Sequence, residues 1–139
     1  MAEPYIGLMS GTSLDGVDGV AAVFDGGRPR ILAHADVAMP PALRAELLAL
    51  NTPGPDEIHR MSQAGMALAD LYAQVVSELL ARTGLDAARV RAIGAHGQTV
   101  RHRPDAGYTV QLNAPARLAE LSGIAVVADL RSRDVAAGG

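Results

Sequence analysis

Residues 4–24 read PYIGLMSGTSLDGVDGVAAVF, and they contain two strand-like runs separated by a turn. The apolar run Pro4–Ser10 predicts a buried strand, and Val17–Phe24 predicts a second strand after the turn Gly11–Gly16. Asp25-Gly26-Gly27 then favours a tight hairpin into a third strand over Arg30–Val37. We therefore expect the chain to open with a meander of three antiparallel strands.

The next part of the chain has the periodicity of helices. A short amphipathic segment, ALRAELLAL, follows Pro40-Pro41. Pro55-Asp56-Glu57 favours the start of a longer helix, because proline is tolerated in the first turn and acidic side chains suit the positive end of the dipole. Apolar residues recur at helical spacing from Ile58 to Leu80, which predicts core packing, and Gly84 is typical of a helix end.

The last part alternates between strands and a short helix. Val90–Ala95 predicts a fourth strand, residues 100–112 a small hairpin, and Pro115–Leu121 a helix. Ile124–Ala128 is wholly apolar, as strands buried in parallel sheets are. Three antiparallel strands followed by helix-connected parallel strands predict an α/β fold, the ribonuclease-H-like half-domain of actin-like ATPases.

Composition excludes several classes of protein. The 139 residues suit one domain, and the absence of cysteine excludes disulfides and thiolate metal sites. All 12 basic residues are arginine, so neither a Walker-type phosphate lysine nor a Schiff-base lysine is present. A net charge of −3 argues against nucleic-acid binding. No secretory signal or membrane-length apolar run is evident, so we expect a soluble, cytoplasmic protein that does not bind membranes.

The first candidate site is the turn between the first two strands. Its small residues would let backbone N–H groups approach a phosphate, with hydroxyl donors from Thr12 and Ser13. Asp15 could hold Mg²⁺, a cation that prefers oxygen ligands. On residue types alone an ordinary hairpin turn is the better reading, since Asp-Gly turns are common.

Two further candidates follow later strands. His96 and Gln98 come after the fourth strand and could bind sugar hydroxyls. Asp129 follows the fifth strand, and Arg131 offers a planar fork for a carboxylate or phosphate. Each could instead satisfy backbone groups or lie in a solvated turn. The other histidines are scattered at His34, His59 and His102, so the sequence predicts no zinc site.

Taken together, three segments closely resemble the anhydro-N-acetylmuramic acid kinase family. They are YIGLMSGTSLDGVDGV at the start, AIGAHGQTVRHRP in the middle and VVADLRSRDVAAGG at the end; TPGPDEIHR is also similar. The resemblance covers essentially the whole chain. It implies the actin-like kinase fold and the use of ATP and Mg²⁺. The implied reaction phosphorylates 1,6-anhydro-N-acetylmuramic acid and opens its ring with water, giving N-acetylmuramic acid 6-phosphate in peptidoglycan recycling.

The resemblance also assigns roles to residues. A nucleotide-phosphate loop is implied for Gly11, Thr12, Ser13, Leu14, Asp15, Gly16, Val17 and Asp18. Sugar-side residues are implied at His96, Gln98, Arg131, Asp129 and Asp134. From its chemistry, we expect Arg131 to bind the lactyl carboxylate of the sugar.

Members of this family are well over twice as long as this chain. We therefore expect residues 1–139 to be the amino-terminal lobe, with the catalytic aspartate and the carboxy-terminal lobe beyond Gly139, and we expect no kinase activity from this segment alone. A homodimer of the full-length form is compatible with the resemblance, which does not fix the oligomeric state.

Two alternatives stay open at this point. The first is a half-kinase module that binds sugar or nucleotide without catalysis. The second is a ribonuclease-H-like nuclease, which would group Asp15, Asp18 and Asp129 around two metal ions. The acidic balance and the scarcity of aromatic residues argue against the nuclease.

Overall fold

A computed structural model describes residues 2–11 and 13–139 and confirms the α/β class. Its strands are β1 (Pro4–Ser10), β2 (Gly16–Asp25), β3 (Arg28–Ala38), β4 (Ile93–Ala95), β5 (Gln98–Arg103), β6 (Tyr108–Leu112) and β7 (Val126–Val127). Its α-helices are α1 (Pro41–Ala49), α2 (Glu57–Thr83), α3 (Pro115–Ser122) and α4 (Ser132–Ala136). Short 3₁₀ turns cover Ala87–Arg89 and Pro104–Ala106.

The main sheet has the predicted mixture of antiparallel and parallel pairs. Its five strands run in the order β3-β2-β1-β4-β7. The β1–β2 and β2–β3 pairs are antiparallel, whereas β4 runs parallel to β1 and β7 runs parallel to β4. Strands β5 and β6 form a separate antiparallel hairpin. The carboxyl ends of β1, β4 and β7 therefore lie along one edge of the sheet.

Helix α2 covers one face of this sheet. Its residues Leu68, Tyr72, Val75 and Leu79 are completely buried, in a core that α2 shares with inward-facing side chains of the sheet. Gly19 in β2 permits this close contact, because a Cβ there would lie 2.4 Å from Cγ1 of Val75. The opposite face is open: alternate residues such as Met9 and Phe24 are about half exposed.

Two predicted strands are much shorter than their apolar runs. The fourth strand comprises Ile93–Ala95 and not Val90–Ala95, because the preceding 3₁₀ turn is joined to it through irregular backbone. The last strand comprises Val126–Val127 and not Ile124–Ala128. It lies at one edge of the sheet, and in the described part of the chain it pairs with β4 alone, through two residue pairs.

Other local predictions need correction. The hairpin predicted over residues 100–112 begins two residues earlier, since Gln98 and Thr99 already pair with β6. Helix α2 begins at Glu57, so Pro55 precedes the N-cap Asp56 and lies outside the first turn. Ile58, in the first turn of α2, is 84% exposed and lies outside the core. Helix α4 was not predicted.

In the described part of the chain, no helix combines the length and the apolar character needed to cross a bilayer.

Candidate functional site

The three candidate segments follow neighbouring parallel strands at one edge of the sheet. Gly11 follows β1, His96 follows β4, and Asp129 lies two residues after β7. The backbone N–H of His96 donates to the carbonyl of Leu8 at 3.1 Å, which joins the second segment to β1. The carboxyl edge of parallel strands is where open α/β sheets bind ligands. Segments that are far apart in the sequence thus meet where chemistry is expected.

The loop between β1 and β2 is anchored by Leu14. This residue adopts a left-handed conformation with φ of 56°, which is costly for a bulky side chain, yet it is only 2% exposed. Its N–H donates to the carbonyl of Gly11 at 3.2 Å, and the N–H of Met39 donates to the carbonyl of Asp15 at 3.0 Å. Burial of Leu14 in the core offsets the backbone strain. Ser13 and the Asp15 side chain are left exposed on the loop.

Beneath this loop lies a buried polar contact. Ser10 is 2% exposed and Gln98 is 3% exposed, and the Ser10 hydroxyl donates to the side-chain carbonyl of Gln98. The amide nitrogen of Gln98 donates to the carbonyl of Thr99 at 3.4 Å. Gln98, the first residue of β5, is therefore tied to Ser10 at the end of β1, and this contact fixes the two segments relative to each other.

His96 and Gly97 are positioned from the core by Tyr72. Gly97 has a φ of 78°, and its N–H donates to the Tyr72 hydroxyl at 3.0 Å. Burial raises the pKa of this phenol, so it stays protonated as a neutral group. The Nδ1 atom of His96 lies 2.8 Å from the carbonyl of Gly97 and must carry a proton to bond there. In the neutral imidazole, Nε2 then carries no proton and can accept a hydrogen bond from a ligand hydroxyl.

The third segment turns sharply after β7. Asp129 is exposed and has a φ of 57°, and it accepts a hydrogen bond from the hydroxyl of Ser132 in the first turn of α4. Arg131 is the N-cap of this helix and is half-buried. Asp134 lies within the helix and is exposed. The six residues from Asp129 to Asp134 therefore carry two carboxylates and two guanidiniums, those of Arg131 and Arg133.

Several cavities border the site, and one of about 240 Å³ is lined by Asp15, Gly16 and Asp18 of the loop. One of about 390 Å³ lies on the open face of the sheet, and its lining includes Asp18, His96 and Leu130, one residue from each candidate segment. Another of about 390 Å³ lies beside the loop, against α1, where Asp15 and Arg44 line it. The sequence did not single out Arg44, since a surface helix commonly carries such a residue.

The comparisons with known proteins bear directly on this arrangement. The sequence profile of the anhydro-N-acetylmuramic acid kinase family matches residues 3–139. The chain belongs to this family. The resemblance inferred from the three segments is thereby confirmed.

Individual members of the kinase family are closely similar to this chain. Anhydro-N-acetylmuramic acid kinase of Bordetella avium is 68% identical over 135 residues, which are 97% of this chain and 36% of that protein. The protein of the same name from Variovorax paradoxus is 62% identical over 141 residues, covering 99% of this chain and 38% of its own length. The chain thus spans a little over a third of the curated relatives that it matches.

The residues of the loop fit the nucleotide phosphates and Mg²⁺ that a kinase of this family would use. Nothing lies within 4 Å of a Cβ built on Gly11, so the backbone there is open to a bulky anion. The exposed carboxylate of Asp15 is a suitable ligand for a hard cation. Thr12, predicted to donate from its hydroxyl, lies outside the described residues.

The arrangement does not support the nuclease alternative. Over residues 2–11 and 13–139, the one group of three metal-ligating side chains with mutually close atoms is Asp18, His34 and Asp36. Asp15 and Asp129 do not join Asp18 in a carboxylate cluster. Two-metal catalysis needs ligands that place ions about 4 Å apart, which this set does not supply.

Proposed function

We propose that this chain is the phosphate-binding, amino-terminal lobe of a kinase that transfers phosphate from ATP to 1,6-anhydro-N-acetylmuramic acid. The reaction would open the anhydro ring with water and yield N-acetylmuramic acid 6-phosphate in peptidoglycan recycling. The observation that carries the proposal is the convergence of the three family segments on one sheet edge, next to an open glycine-rich loop. We place the reaction in the cytoplasm, and a homodimer of the full-length form is compatible with it.

The loop between β1 and β2 would hold the nucleotide. Backbone groups from Gly11 to Asp18, with the hydroxyls of Thr12 and Ser13, would bind the phosphates, and Asp15 would hold Mg²⁺. When bound, ATP and Mg²⁺ supply the phosphoryl group and neutralise its charge. Arg44 lines the cavity beside Asp15 and would add positive charge for the phosphates.

The other two segments would hold the sugar. His96 would accept from a hydroxyl through Nε2, and Gln98 would support this segment through its contact with Ser10. Arg131 would bind the lactyl carboxylate through its planar fork, with Asp129 and Asp134 bonding to sugar hydroxyls. Phosphoryl transfer depends mainly on positioning and charge, which is what these residue types offer.

A chimera tests this proposal. The matching 135-residue segment of the Bordetella avium relative, 68% identical, would be replaced by the corresponding part of this chain. We expect the chimera to convert the anhydro sugar and ATP to the 6-phosphate, detected by mass spectrometry. Asp15→Asn should then lower kcat/KM at least about tenfold, or 1.4 kcal/mol in the barrier.

The matched control is Asp86→Asn, which removes an exposed carboxylate before the first 3₁₀ turn, away from the candidate site. Its activity should equal that of the unsubstituted chimera. A folded chimera without turnover, or equal activity in the Asp15 and Asp86 variants, would contradict the proposal. The 139-residue chain alone should show no turnover, because the proposal assigns the catalytic aspartate to the rest of the kinase.

A further inference from the structure

Three metal-ligating side chains meet on the open face of the sheet. A ligand atom from each of Asp18, His34 and Asp36 lies within 4.8 Å of the other two, and all three residues are exposed. Nε2 of His34 lies 3.4 Å from Oδ1 of Asp18. We propose that this triad binds a divalent transition-metal ion of the zinc class, at a site separate from the Mg²⁺ proposed at Asp15.

The register of β2 and β3 creates the triad. Asp18 is paired directly with Asp36, and His34 precedes Asp36 by two residues, so all three share one face of the sheet. Like charges directly opposite each other destabilise an antiparallel pair. Over residues 2–11 and 13–139, neither carboxylate forms an ion pair with an arginine. A bound cation would remove this repulsion.

Nearby arginine is engaged elsewhere. Arg82 donates to the backbone carbonyl of His34 and lies 3.8 Å from Glu78. Its contact is with the main chain of β3, so the imidazole and the two carboxylates remain available to an ion. This hydrogen bond also holds the backbone of β3 at His34, which lies on the same face of the sheet as Asp18.

The chemistry of the three side chains selects the ion. Imidazole suits zinc and related metals, whereas Mg²⁺ and Ca²⁺ prefer sites made only of oxygen. Zinc bonds to nitrogen and carboxylate oxygen are about 2.0–2.2 Å, which separates two ligands of a tetrahedron by about 3.4 Å. The distance from His34 to Asp18 already has this value. Small side-chain rotations would bring in Asp36 and leave the fourth position to water.

The site adjoins the phosphate loop without depending on its function. Asp15, Gly16, Asp18 and Asp36 line the same cavity of about 240 Å³. A zinc ion on the triad would therefore lie beside the proposed nucleotide site. The metal-site proposal does not depend on kinase activity, because Zn²⁺ binding to its three ligands can be measured directly.

Titration calorimetry with ZnCl₂ on the 139-residue chain, in excess Mg²⁺, tests the proposal. We expect one Zn²⁺ per chain, and His34→Gln and Asp36→Asn should each weaken binding at least about tenfold. His59→Gln is the matched control, since His59 is exposed on α2 outside the triad, and its affinity should be unchanged. Equal affinity in the His34 and His59 variants, no Zn²⁺ binding, or displacement of Zn²⁺ by Mg²⁺ would overturn the proposal.

Imidazole ¹⁵N spectra of the unsubstituted chain give a readout that does not depend on how the variants fold. Zinc should shift the ring nitrogen signals of His34 and leave those of His59 and His102 in place. Shifts confined to His59 or His102 would assign the ion elsewhere and overturn the proposal.

Discussion

At the scale of single residues, Tyr72 supports the candidate site from within the core, through a hydrogen bond to the backbone next to His96. It is 0% exposed, and its hydroxyl accepts the N–H of Gly97 at 3.0 Å. Gly97 is itself buried and follows His96 directly. The orientation of the proposed sugar-side histidine therefore depends on a tyrosine that makes no contact with solvent.

Removing this hydroxyl should destabilise the fold measurably. Tyr72→Phe keeps the ring but leaves the buried N–H of Gly97 without its partner, which costs about 1–3 kcal/mol. Urea unfolding followed by circular dichroism measures the change. Tyr108→Phe is the control, because Tyr108 is partly exposed and its variant should stay within about 0.5 kcal/mol of the parent. Equal stabilities of the two variants would contradict the role assigned to Tyr72.

The same residue predicts a dependence on alkaline pH. Burial raises the pKa of Tyr72 in the folded state, whereas an unfolded tyrosine ionises near pH 10. Above about pH 10 the unfolded chain therefore binds fewer protons than the folded one, and stability falls as pH rises. Urea midpoints at rising pH should drop less steeply in Tyr72→Phe than in the parent. Parallel curves would show that Tyr72 does not carry the effect.

Sequence reasoning found some of these residues and missed others for a physical reason. His96 and Asp129 could be placed because each follows an apolar run, and strand ends can be predicted from such runs. Tyr72 could not, since its place in a helical stripe is equally typical of any core residue and its partner lies 25 residues away. The triad was missed because histidine spacing along the chain does not reveal the cross-strand register that supplies its aspartates.

At the scale of elements, the junction of β1, β2 and β3 fixes the loop between β1 and β2. Gly16 begins β2, and a Cβ at this position would lie 2.4 Å from the carbonyl oxygen of Val37 in β3. Because Gly16 has no side chain, β2 and β3 can approach each other closely at the end of the loop. The turn between β2 and β3 is equally tight, with Gly26 and Gly27 both at positive φ, as the Asp-Gly-Gly pattern predicted.

Gly16→Ala should therefore destabilise the protein, by about 1–3 kcal/mol, because the strands must shift to relieve a clash with backbone. Gly11→Ala in the same loop is the control, since nothing lies within 4 Å of its added Cβ. The measurement is the difference in urea midpoint between the two variants. A Gly11 variant as unstable as the Gly16 variant would show that the loop, and not the strand contact, is sensitive.

The ends of a strand could be predicted from the sequence where a neighbouring strand pairs with the whole apolar segment. The first strand has the predicted bounds, Pro4–Ser10, because β2 pairs with all seven of its residues and β4 pairs on the other side. The runs that became β4 and β7 are longer than the strands, since only three residues of β4 pair with β1 and two of β7 pair with β4. The length over which a neighbouring strand pairs depends on the tertiary structure, and it cannot be predicted from the apolar sequence alone.

At the scale of the whole molecule, one hydrophobic core connects the sheet to the hairpin. Val100 of β5 and Leu112 of β6 belong to the same buried cluster as Leu8 and Ile93 of the main sheet. Helix α2 joins the two parts, since Leu68 at its centre is completely buried in that cluster. A polar contact reinforces the link, because Arg101 of β5 pairs with Glu57 at the start of α2.

A shared core predicts that the hairpin and the main sheet unfold together. Leu68→Ala should cost about 2–5 kcal/mol, because it removes buried methyl groups and leaves a cavity. Native-state hydrogen exchange should show this loss equally for amides of β1 and β4 and for amides of β5 and β6, since one cooperative unit has one opening free energy. The exposed Ile58 on the same helix provides the control, and Ile58→Ala should leave all four strands unchanged. If the β5–β6 amides kept their protection while the main sheet lost it, the hairpin would be a separate unit. His96 would then lie between two parts that move independently, and its proposed place in the site would lack a rigid support.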